Sequence, residues 1–286
     1  MAAFDWYQAT VRAPVDDVLE AFGGRLAHAK GLHGYAHSTT VHGADDEAIA
    51  RVWHGGTHAY PHVVLSGDSC QAGVELIRAT WPTLHSVTRA DSREDFADDG
   101  AFDRIQPHLV SVAAKYRVKV DTRGDHLLTQ KGRTVYLGAP SSAVRLRLYD
   151  KREEVLAKLP PGGAARARAF ASLEARLGCK LPETWVRLEA QVRPQTKIAR
   201  EFFAHIEPIE VMGSSAWMRE AWQHVAGLDL RPVQVGKAWR PSDDERAYTY
   251  LLAQYGGLLR RMQADHGSWE MVGRQLGLDL GSGHEG

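Results

Sequence analysis

Three short segments in which charged or strongly polar residues occupy every second position constrain the fold of this chain more than any other feature of its sequence. They are residues 87–95, 145–151 and 185–193. Successive side chains of a β-strand point to opposite faces of the sheet, so each segment predicts a strand with one polar face. The alternating polar residues are Arg89, Asp91, Arg93, Asp95, Arg145, Arg147, Tyr149, Lys151, Arg187, Glu189, Gln191 and Arg193. If the three strands share one sheet, these side chains form a single surface, which we call the charged face.

The rest of the sequence predicts an α+β protein, with a central antiparallel sheet, helices packed on one face and the charged face on the other. Strands and hairpins are expected in residues 4–11, 31–65 and 126–137, the last turning at Lys131-Gly132. Apolar periodicity and capping residues predict helices over residues 14–26, 71–81, 102–116, 164–177, 197–205, 215–226, 242–264 and 269–276.

This pattern divides the chain into three parts. We expect an α+β domain over residues 1–205, made of N-terminal strands (1–65) and a core that contains the alternating segments (65–205). A helical region should follow over residues 206–280, and a disordered tail over residues 281–286. The sequence shows no internal repeat.

The charge and cysteine content limit the classes of function. The 35 Lys and Arg residues balance 35 Asp and Glu residues, so a nucleic-acid partner must be bound by a local patch. Residues 115–152, with ten basic and three acidic residues, provide such a patch. Two cysteines exclude a disulfide scaffold and favour a reducing compartment. No apolar run reaches 18 residues and the N-terminus does not resemble a signal peptide, so we expect a cytoplasmic protein without a membrane partner.

The charged face contains groups suited to attack on a phosphodiester. Asp91, Asp95 and Glu189 are hard oxygen ligands that suit Mg²⁺ or Mn²⁺ better than Zn²⁺. The basic neighbours of Tyr149 should favour its phenolate and make it a nucleophile, while guanidinium groups bind phosphate oxygens. A salt-bridged face exposed to solvent is the alternative interpretation.

The same residues lie in three blocks that resemble a known family. Residues 88–96 (TRADSREDF) are similar to its TR-x-D-x-x-x-D-F strand, and residues 185–189 (WVRLE) to its W-x-R-x-E strand. Residues 134–142 (TVYLGAPSS) and 145–151 (RLRLYDK) resemble its T-x-Y-x-G-x-x-x-S and R-x-YDK block, and Asp5-Trp6 is a weaker similarity. The family is the replication initiation factors (Rep_trans) of rolling-circle plasmids and filamentous phages, which includes some relaxases of conjugative elements.

The resemblance implies a site-specific and strand-specific DNA nickase. Tyr149 would attack the origin phosphodiester, leaving a 5′-phosphotyrosyl enzyme and a free 3′-OH, and a second transesterification would rejoin the strand. Asp91 and Glu189, together with Asp95, would hold a divalent metal ion, Mg²⁺ or Mn²⁺. The residues expected to bind DNA phosphates are Arg89, Arg145, Arg147, Lys151, Arg187 and Arg193.

The expected partners are origin DNA, either single-stranded or extruded as a hairpin, and a host replicative helicase, and a homo-oligomer is left open. The sequence does not separate a replication initiator from a conjugative relaxase with the same chemistry. A non-catalytic DNA-binding regulator on the same fold is a further alternative, although the presence of Asp91, Tyr149 and Glu189 argues against it. A hydrolytic metallonuclease would leave no protein on the cleaved end.

Two other patterns are given less weight. His54, His58 and His62 have the spacing of a zinc-binding helix, but nearby glycines and Pro61 disfavour a helix. On a strand, residues four apart are separated by about 13 Å. Tyr136 is the rival nucleophile, and its apolar neighbours suggest a packed strand residue.

Overall fold

A computed structural model describes residues 2–236 and 243–282, which form two compact units divided after Lys237. The strands of the first unit are β1 (Ala3–Val11), β2 (Arg25–Lys30), β3 (His37–His42), β4 (Ala48–His54), β5 (His62–Ser66), β6 (His85–Phe96), β7 (Val120–Arg123), β8 (Thr134–Leu137), β9 (Val144–Asp150) and β10 (Val186–Val192). Its helices are α1 (Val15–Phe22), α2 (Cys70–Thr80), α3 (Ala101–Tyr116), α4 (Lys151–Ala157), α5 (Gly163–Leu177), α6 (Lys197–Phe203), α7 (Pro208–Val211) and α8 (Ala216–Ala226). The second unit contains α9 (Asp243–His266) and α10 (Trp269–Ser282).

The strands form one antiparallel sheet in the order β2-β3-β4-β5-β1-β6-β10-β9-β8-β7. This order contains a structural repeat. In each half a central strand, β1 or β6, leads through a helix to the outer edge of the sheet, and the following strands return inward until the last one pairs with the central strand. A further helix then packs against each central strand, α2 against β1 and α6 against β6. The repeat lies in the topology and is not visible as a repeated sequence.

The helices that follow the strands cover one face of this sheet. Val18 of α1, Ile77 of α2, Ile105 of α3 and Phe203 of α6 are buried in a common core with every second residue of the central strands. Burial of each such side chain contributes about 1.5–3 kcal/mol. The opposite face carries the polar residues of the strands, so the predicted α+β fold is confirmed.

Local departures from the predicted elements have simple causes. Helix α1 ends at Phe22 because Gly23 and Gly24 have positive φ angles, and β2 begins at once. The predicted hairpin in residues 126–137 instead pairs β8 with β7, across a loop of residues 124–133. Asp125 organises this loop, since its carboxylate accepts hydrogen bonds from the amides of Leu127 and Leu128 at 2.9 Å.

The boundary between the two units differs from the sequence-based division at residue 205. Helices α7 and α8 belong to the first unit, and Val211 and Trp222 are fully buried in its core. Residues 281–282 complete α10, whereas residues 283–286 of the expected disordered tail lie outside the described residues. Within the described part of the chain, no helix is long and apolar enough to cross a membrane.

Candidate active site

The sheet places the three alternating strands side by side. Strand β10 lies between β6 and β9, and residues that pair across these strands point to the same face. Three rows result, which are Asp91–Gln191–Arg145, Arg93–Glu189–Arg147 and Asp95–Arg187–Tyr149. The predicted catalytic, metal-binding and phosphate-binding residues of these rows therefore lie together on the charged face.

Glu189 lies at the centre of the charged face and binds both Tyr149 and Arg147. The Tyr149 hydroxyl donates a hydrogen bond to Glu189 Oε1 at 2.6 Å, and Arg147 donates from Nε to Oε2 at 3.0 Å and from Nη2 to Oε1 at 2.9 Å. The Arg147 guanidinium also stacks 4.2 Å from the centre of the Tyr149 ring. Glu189 is 3% exposed and Tyr149 is 5% exposed. This geometry lets Glu189 take the phenol proton while the Arg147 guanidinium lies over the tyrosine ring.

Arg187 holds a second group of carboxylates. It donates to Asp95 from Nε at 2.6 Å and from Nη2 at 2.9 Å, and from Nη1 to Asp5 at 2.6 Å. Asp5 reaches this site because a register shift between Phe4 and Trp6 makes it the extra residue of a β-bulge. Burial alone would raise the pKa of Asp95, but the Arg187 guanidinium outweighs burial and lowers it. Asp95 thus acts here as an anchor for a buried arginine.

Asp91, which is 2% exposed, pairs with Arg89. Arg89 Nε donates to Asp91 Oδ1 at 2.9 Å, and Arg89 Nη2 donates to Oδ2. With its amide oxygen turned toward Arg89, Gln191 accepts a further bond from Nε at 2.8 Å. The guanidinium lies 4.7 Å from the centre of the Trp6 ring. Arg89 therefore holds the Asp91 carboxylate in a fixed position.

Burial raises the pKa of several groups on the charged face. Burial, reinforced by the charges of Glu189 and Asp5, raises the pKa of Asp91 to about 6, against the opposing effect of Arg89. Burial also raises the pKa of Glu189, although Arg147 opposes it. The pKa of Tyr149 is raised by burial and by the Glu189 charge, which outweigh Arg187 and Arg147. The expectation that basic neighbours would favour the Tyr149 phenolate is therefore wrong for this structure, because its hydroxyl faces a buried carboxylate.

Two pockets open on either side of Arg147. The inner pocket, of about 120 Å³, is lined by Asp91, Glu189 and Gln191 and by the arginines around them. The outer pocket, of about 400 Å³, is lined by Tyr149 together with Lys131, Thr134 and Glu154. The carboxylates and the tyrosine hydroxyl thus meet at the boundary between a small polar pocket and a larger one.

Tyr136 also lies on the charged face, which differs from its interpretation as a packed strand residue. It pairs with Arg147 across β8 and β9, lines the inner pocket, and stacks 4.0 Å from the Arg145 guanidinium. Its neighbours Val135 and Leu137 are fully buried on the helix-covered face. Of the two tyrosines, Tyr149 is the one that donates a hydrogen bond to Glu189.

The remaining predicted phosphate-binding residues lie around the pockets. Arg145 donates to the Gly138 carbonyl at 3.2 Å, and Arg193 donates to the carbonyls of Pro140 and Ser142 at 3.0 and 3.3 Å. Both arginines therefore hold the loop between β8 and β9. Lys151 begins α4 and pairs with Glu154 at 2.6 Å, and its ammonium lies 5.7 Å from the centre of the Tyr149 ring.

The donor groups of the inner pocket suit a hard cation. Two carboxylates, Asp91 and Glu189, and the amide of Gln191 line the same small space, and oxygen donors of this kind are the ligands of Mg²⁺ and Mn²⁺. All three predicted carboxylates are paired with arginines, Asp91 with Arg89, Glu189 with Arg147, and Asp95 with Arg187 and Arg93. Asp95 is set apart because it is not among the residues that line this pocket. Among the described residues, no three or more carboxylate, histidine or cysteine side chains gather as a preformed metal site. A metal ion here would rest on two carboxylates, with water completing its coordination.

Three residues of the site were not among the sequence-based candidates. Asp5 and Trp6 enter from β1, and Arg93, although on the alternating face, pairs with Asp5 and Asp95. The similarity at Asp5-Trp6 was the available signal for the first two. A strand that pairs with the charged strands from outside the alternating segments cannot be identified from alternation alone.

The histidines with four-residue spacing lie on different faces of the first half of the sheet. Trp53 and His62 are paired across β4 and β5, so His54 points to the opposite face. His54 is grouped with Thr39 and His37. His58 stacks on Tyr35, 4.0 Å between ring centres, beside His62.

One solved structure with the same fold is the rolling circle replication initiator protein from Geobacillus stearothermophilus. The TM-score is 0.50 and the sequence identity is 17%, and the similarity covers 83% of this chain and 99% of that one. No protein-family model matches the chain, and no curated protein does. The likeness shows the fold, which agrees with the fold that the resemblance of the motif blocks implies.

Proposed function

We propose that this protein initiates rolling-circle replication by nicking one strand of origin DNA through a tyrosine. The observation that carries the proposal is the 2.6 Å hydrogen bond from Tyr149 to the buried carboxylate of Glu189, beneath the Arg147 guanidinium. The shared fold with a rolling-circle initiator supports it independently. A tyrosine bonded to a carboxylate and stacked on an arginine has the proton acceptor and the positive charge that a phenol needs for nucleophilic attack.

In the proposed reaction, the DNA strand crosses from the outer pocket to the inner one, with its scissile phosphate against Tyr149 where the two pockets meet at Arg147. The phenol oxygen forms a bond to phosphorus as its proton passes to Glu189, and the bond between phosphorus and the 3′ oxygen breaks. The products are a 5′-phosphotyrosyl protein and a 3′ oxygen that takes a proton to become a free 3′-OH. Because the phosphodiester energy is kept in the new ester, a later attack by a 3′-OH rejoins the strand.

Asp91 and Glu189 are the residues that would hold Mg²⁺ or Mn²⁺ at the inner pocket. A divalent ion bound there would polarise the scissile phosphate and favour the ionised forms of both carboxylates. Arg89 keeps Asp91 oriented toward this pocket through two hydrogen bonds. Asp95 keeps Arg187 in place and is not needed as a ligand.

The basic residues around the pockets would bind the backbone of the strand. Arg147 lies between the two pockets, and Lys151 lies near the Tyr149 ring. Arg145 and Arg193, which donate to backbone carbonyls, retain donors for phosphate oxygens. Arg89 and Arg187 are bound to carboxylates and serve to organise the face.

The test is covalent capture of DNA. The protein is incubated with Mn²⁺ and a set of single-stranded oligonucleotides that tile the parent replicon, and protein–DNA adducts are separated on a denaturing gel. We expect an adduct with one origin oligonucleotide, its loss in Tyr149→Phe, and its retention in the matched variant Tyr136→Phe. DNA binding should persist in both variants.

Other outcomes would contradict the proposal in distinct ways. An adduct that persists in Tyr149→Phe and vanishes in Tyr136→Phe would assign the nucleophile to the other tyrosine. Cleavage without an adduct would indicate a hydrolytic metallonuclease. Binding without cleavage would indicate a DNA-binding regulator. A conjugative relaxase would give the same adduct, with an oligonucleotide from a transfer origin.

A further inference from the structure

The first half of the sheet carries a cluster of ring side chains on the same face as the charged residues. We call it the ring cluster, and its members are His33, Tyr35, Trp53, His58 and His62. Trp53 and His62 stack with their ring centres 5.6 Å apart, and Tyr35 and His58 stack at 4.0 Å. His33 and His58 are exposed, Tyr35 and Trp53 are half-buried, and His62 is buried beneath them. The cluster therefore presents rings to solvent above a packed base.

The loops that contribute the exposed rings hold each other in place. The His58 ring is bonded through Nε2 to the His33 carbonyl at 2.9 Å, and the Thr57 amide donates to the Gly34 carbonyl at 3.3 Å. Thr10 of the central strand is bonded to the ring of His62 at 3.2 Å. The rings thus have fixed positions, which reduces the entropy lost when a flat ligand stacks on them.

The structural repeat gives the ring cluster the place that the charged residues have in the other half. In the second half, Arg93 pairs with Glu189, and Glu189 pairs with Arg147. In the first half, the row Thr10–His62–Trp53 lies on β1, β5 and β4, which correspond to β6, β10 and β9 in the strand order. His62 therefore lies on the counterpart of the strand that carries Glu189, and Trp53 lies on the counterpart of the strand that carries Arg147. Three strand spacings separate β5 from β10, which is roughly 14 Å across one continuous face.

The charge around the ring cluster suits a polyanion. Residues 25–42 and 48–66, which form β2 to β5, contain no Asp or Glu, and they include Arg25, Lys30 and Arg51. Asp45, Asp46 and Glu47 lie in the turn between β3 and β4, at the end of this hairpin opposite to Trp53. Burial lowers the pKa of His62 to about 4, so its ring is neutral at physiological pH. A DNA strand on the ring cluster would thus meet no carboxylate from the strands beneath it.

We propose that the ring cluster is a stacking platform for the bases of single-stranded DNA whose cleavage site lies at the charged face. The proposal rests on the proposed function, which supplies the DNA strand. Aromatic rings on an open sheet bind single strands because every base offers a flat face, and each stacked base contributes a measurable part of the affinity. The charged face then binds phosphates near the cleavage site, while the ring cluster binds bases farther along the strand.

Abasic DNA separates stacking from phosphate binding. The full chain is titrated with a fluorescent single-stranded oligonucleotide and with one of equal length whose bases are replaced by abasic sites, and affinity is read by anisotropy. We expect the normal strand to bind at least about fivefold more tightly. In Tyr35→Leu/His58→Ala this preference should fall by about the same factor, whereas Tyr35→Phe, which keeps the ring, should retain it.

The matched control is another stacked pair, on α3 and α8. His108 and His224 are exposed, with ring centres 6.0 Å apart, and the variant His108→Ala/His224→Ala should keep the preference for bases. If the double variant of the ring cluster loses its fold, as read by circular dichroism, His58→Ala provides the same comparison, because His58 is exposed.

Equal binding of normal and abasic strands by the unaltered protein would overturn the platform, as would a preference that survives in the folded ring-cluster variants. The adduct assay separates this failure from failure of the proposed function. An adduct on Tyr149 without any preference for bases rejects the platform and leaves the nickase in place. Absence of single-strand binding rejects both.

Discussion

The two halves of the sheet share one topology and differ in the chemistry of their exposed face. Strands β6 to β10 present carboxylates, arginines and a tyrosine, with Glu189 at the centre. Strands β1 to β5 present Trp53 and His62, which lie on β4 and β5, the counterparts of β9 and β10, and which are surrounded by further rings. The helix-covered faces of both halves are equally apolar. The fold therefore depends on the buried face of each strand, and the exposed face is free to differ between the two halves.

The difference also shows what a charged face demands of its surroundings. Each buried carboxylate of the second half has an arginine partner, as in the pairs Asp91–Arg89, Asp95–Arg187 and Glu189–Arg147. Because a buried charge without a partner strongly destabilises the folded state, replacing one member of such a pair should cost more stability than replacing both members. The first half needs no such pairing because its rings are neutral or exposed.

The largest expected effect is on the rate of adduct formation, and it compares Glu189 of the second half with His62 of the first half. Glu189→Gln removes the proton acceptor of Tyr149 and a candidate metal ligand while keeping the shape of the side chain. We expect adduct formation to slow by about 10²- to 10⁴-fold. The control His62→Gln alters the corresponding strand of the first half, and at saturating origin oligonucleotide it should leave the rate of adduct formation within about twofold. Equal loss in both variants, measured by single-turnover kinetics, would contradict the assignment of chemistry to the second half.

A smaller effect concerns stability. Arg187→Ala removes a buried guanidinium and leaves the partly buried Asp95 and Asp5 with Arg93 as their remaining ion-pair partner, so we expect the free energy of unfolding to fall by about 3 kcal/mol. Arg51 is an exposed arginine of the first half, and Arg51→Ala should change stability by less than about 0.5 kcal/mol. Urea denaturation followed by circular dichroism measures both. Similar losses of stability in the two variants would contradict the difference in ion pairing between the two halves.

The smallest expected effect is the pH dependence of stability that Asp91 contributes. The pKa of Asp91 is about 6 in the folded protein against an ordinary value of 3.8, so the folded state binds this proton more tightly than the unfolded state. Without divalent metal, the contribution of Asp91 to the free energy of unfolding should be fully present below about pH 4. This contribution should decrease by on the order of 2–3 kcal/mol as the pH rises from about 4 to about 6.

Two variants check this prediction. Asp91→Asn should remove this contribution, so that the stability of the variant relative to the unaltered protein rises between pH 4 and pH 6 in denaturation curves measured without metal. Gln8 lies on the exposed face of β1, the strand that corresponds to β6, and pairs with Val64. Gln8→Asn should leave the pH dependence unchanged. A pH dependence of Asp91→Asn identical to that of the unaltered protein would contradict the prediction.

Much of the fold follows from the sequence because strand alternation is a local signal. The alternating segments became β6, β9 and β10, and their polar faces met because all three strands bury their apolar faces in one common core. The repeat could not be predicted in this way. It is a property of strand order, and β10 and β5, which occupy corresponding positions in that order, have no similarity in sequence.

The contacts of the candidate site that join distant segments of the chain could not be predicted from the sequence. Asp5 joins Arg187 through a β-bulge, and the two residues are far apart in the chain. The pKa of Tyr149 depends on which residue its hydroxyl faces, and the sequence shows its basic neighbours but not Glu189 across the strand pair. Tyr136 was assigned to the core from its apolar neighbours, although alternation places those neighbours on the opposite face.

The central position of β1 has a consequence for synthesis of the chain. One edge of β1 pairs with β5, but the other pairs with β6, which begins roughly 75 residues after β1 ends. At 5–20 residues per second, the ribosome needs roughly 4–15 s to supply that partner. During this interval the first five strands can close around β1 with one edge open, and an open edge is where nascent chains pair with one another. We expect aggregation during expression to depend on how fast translation proceeds from β5 to β6.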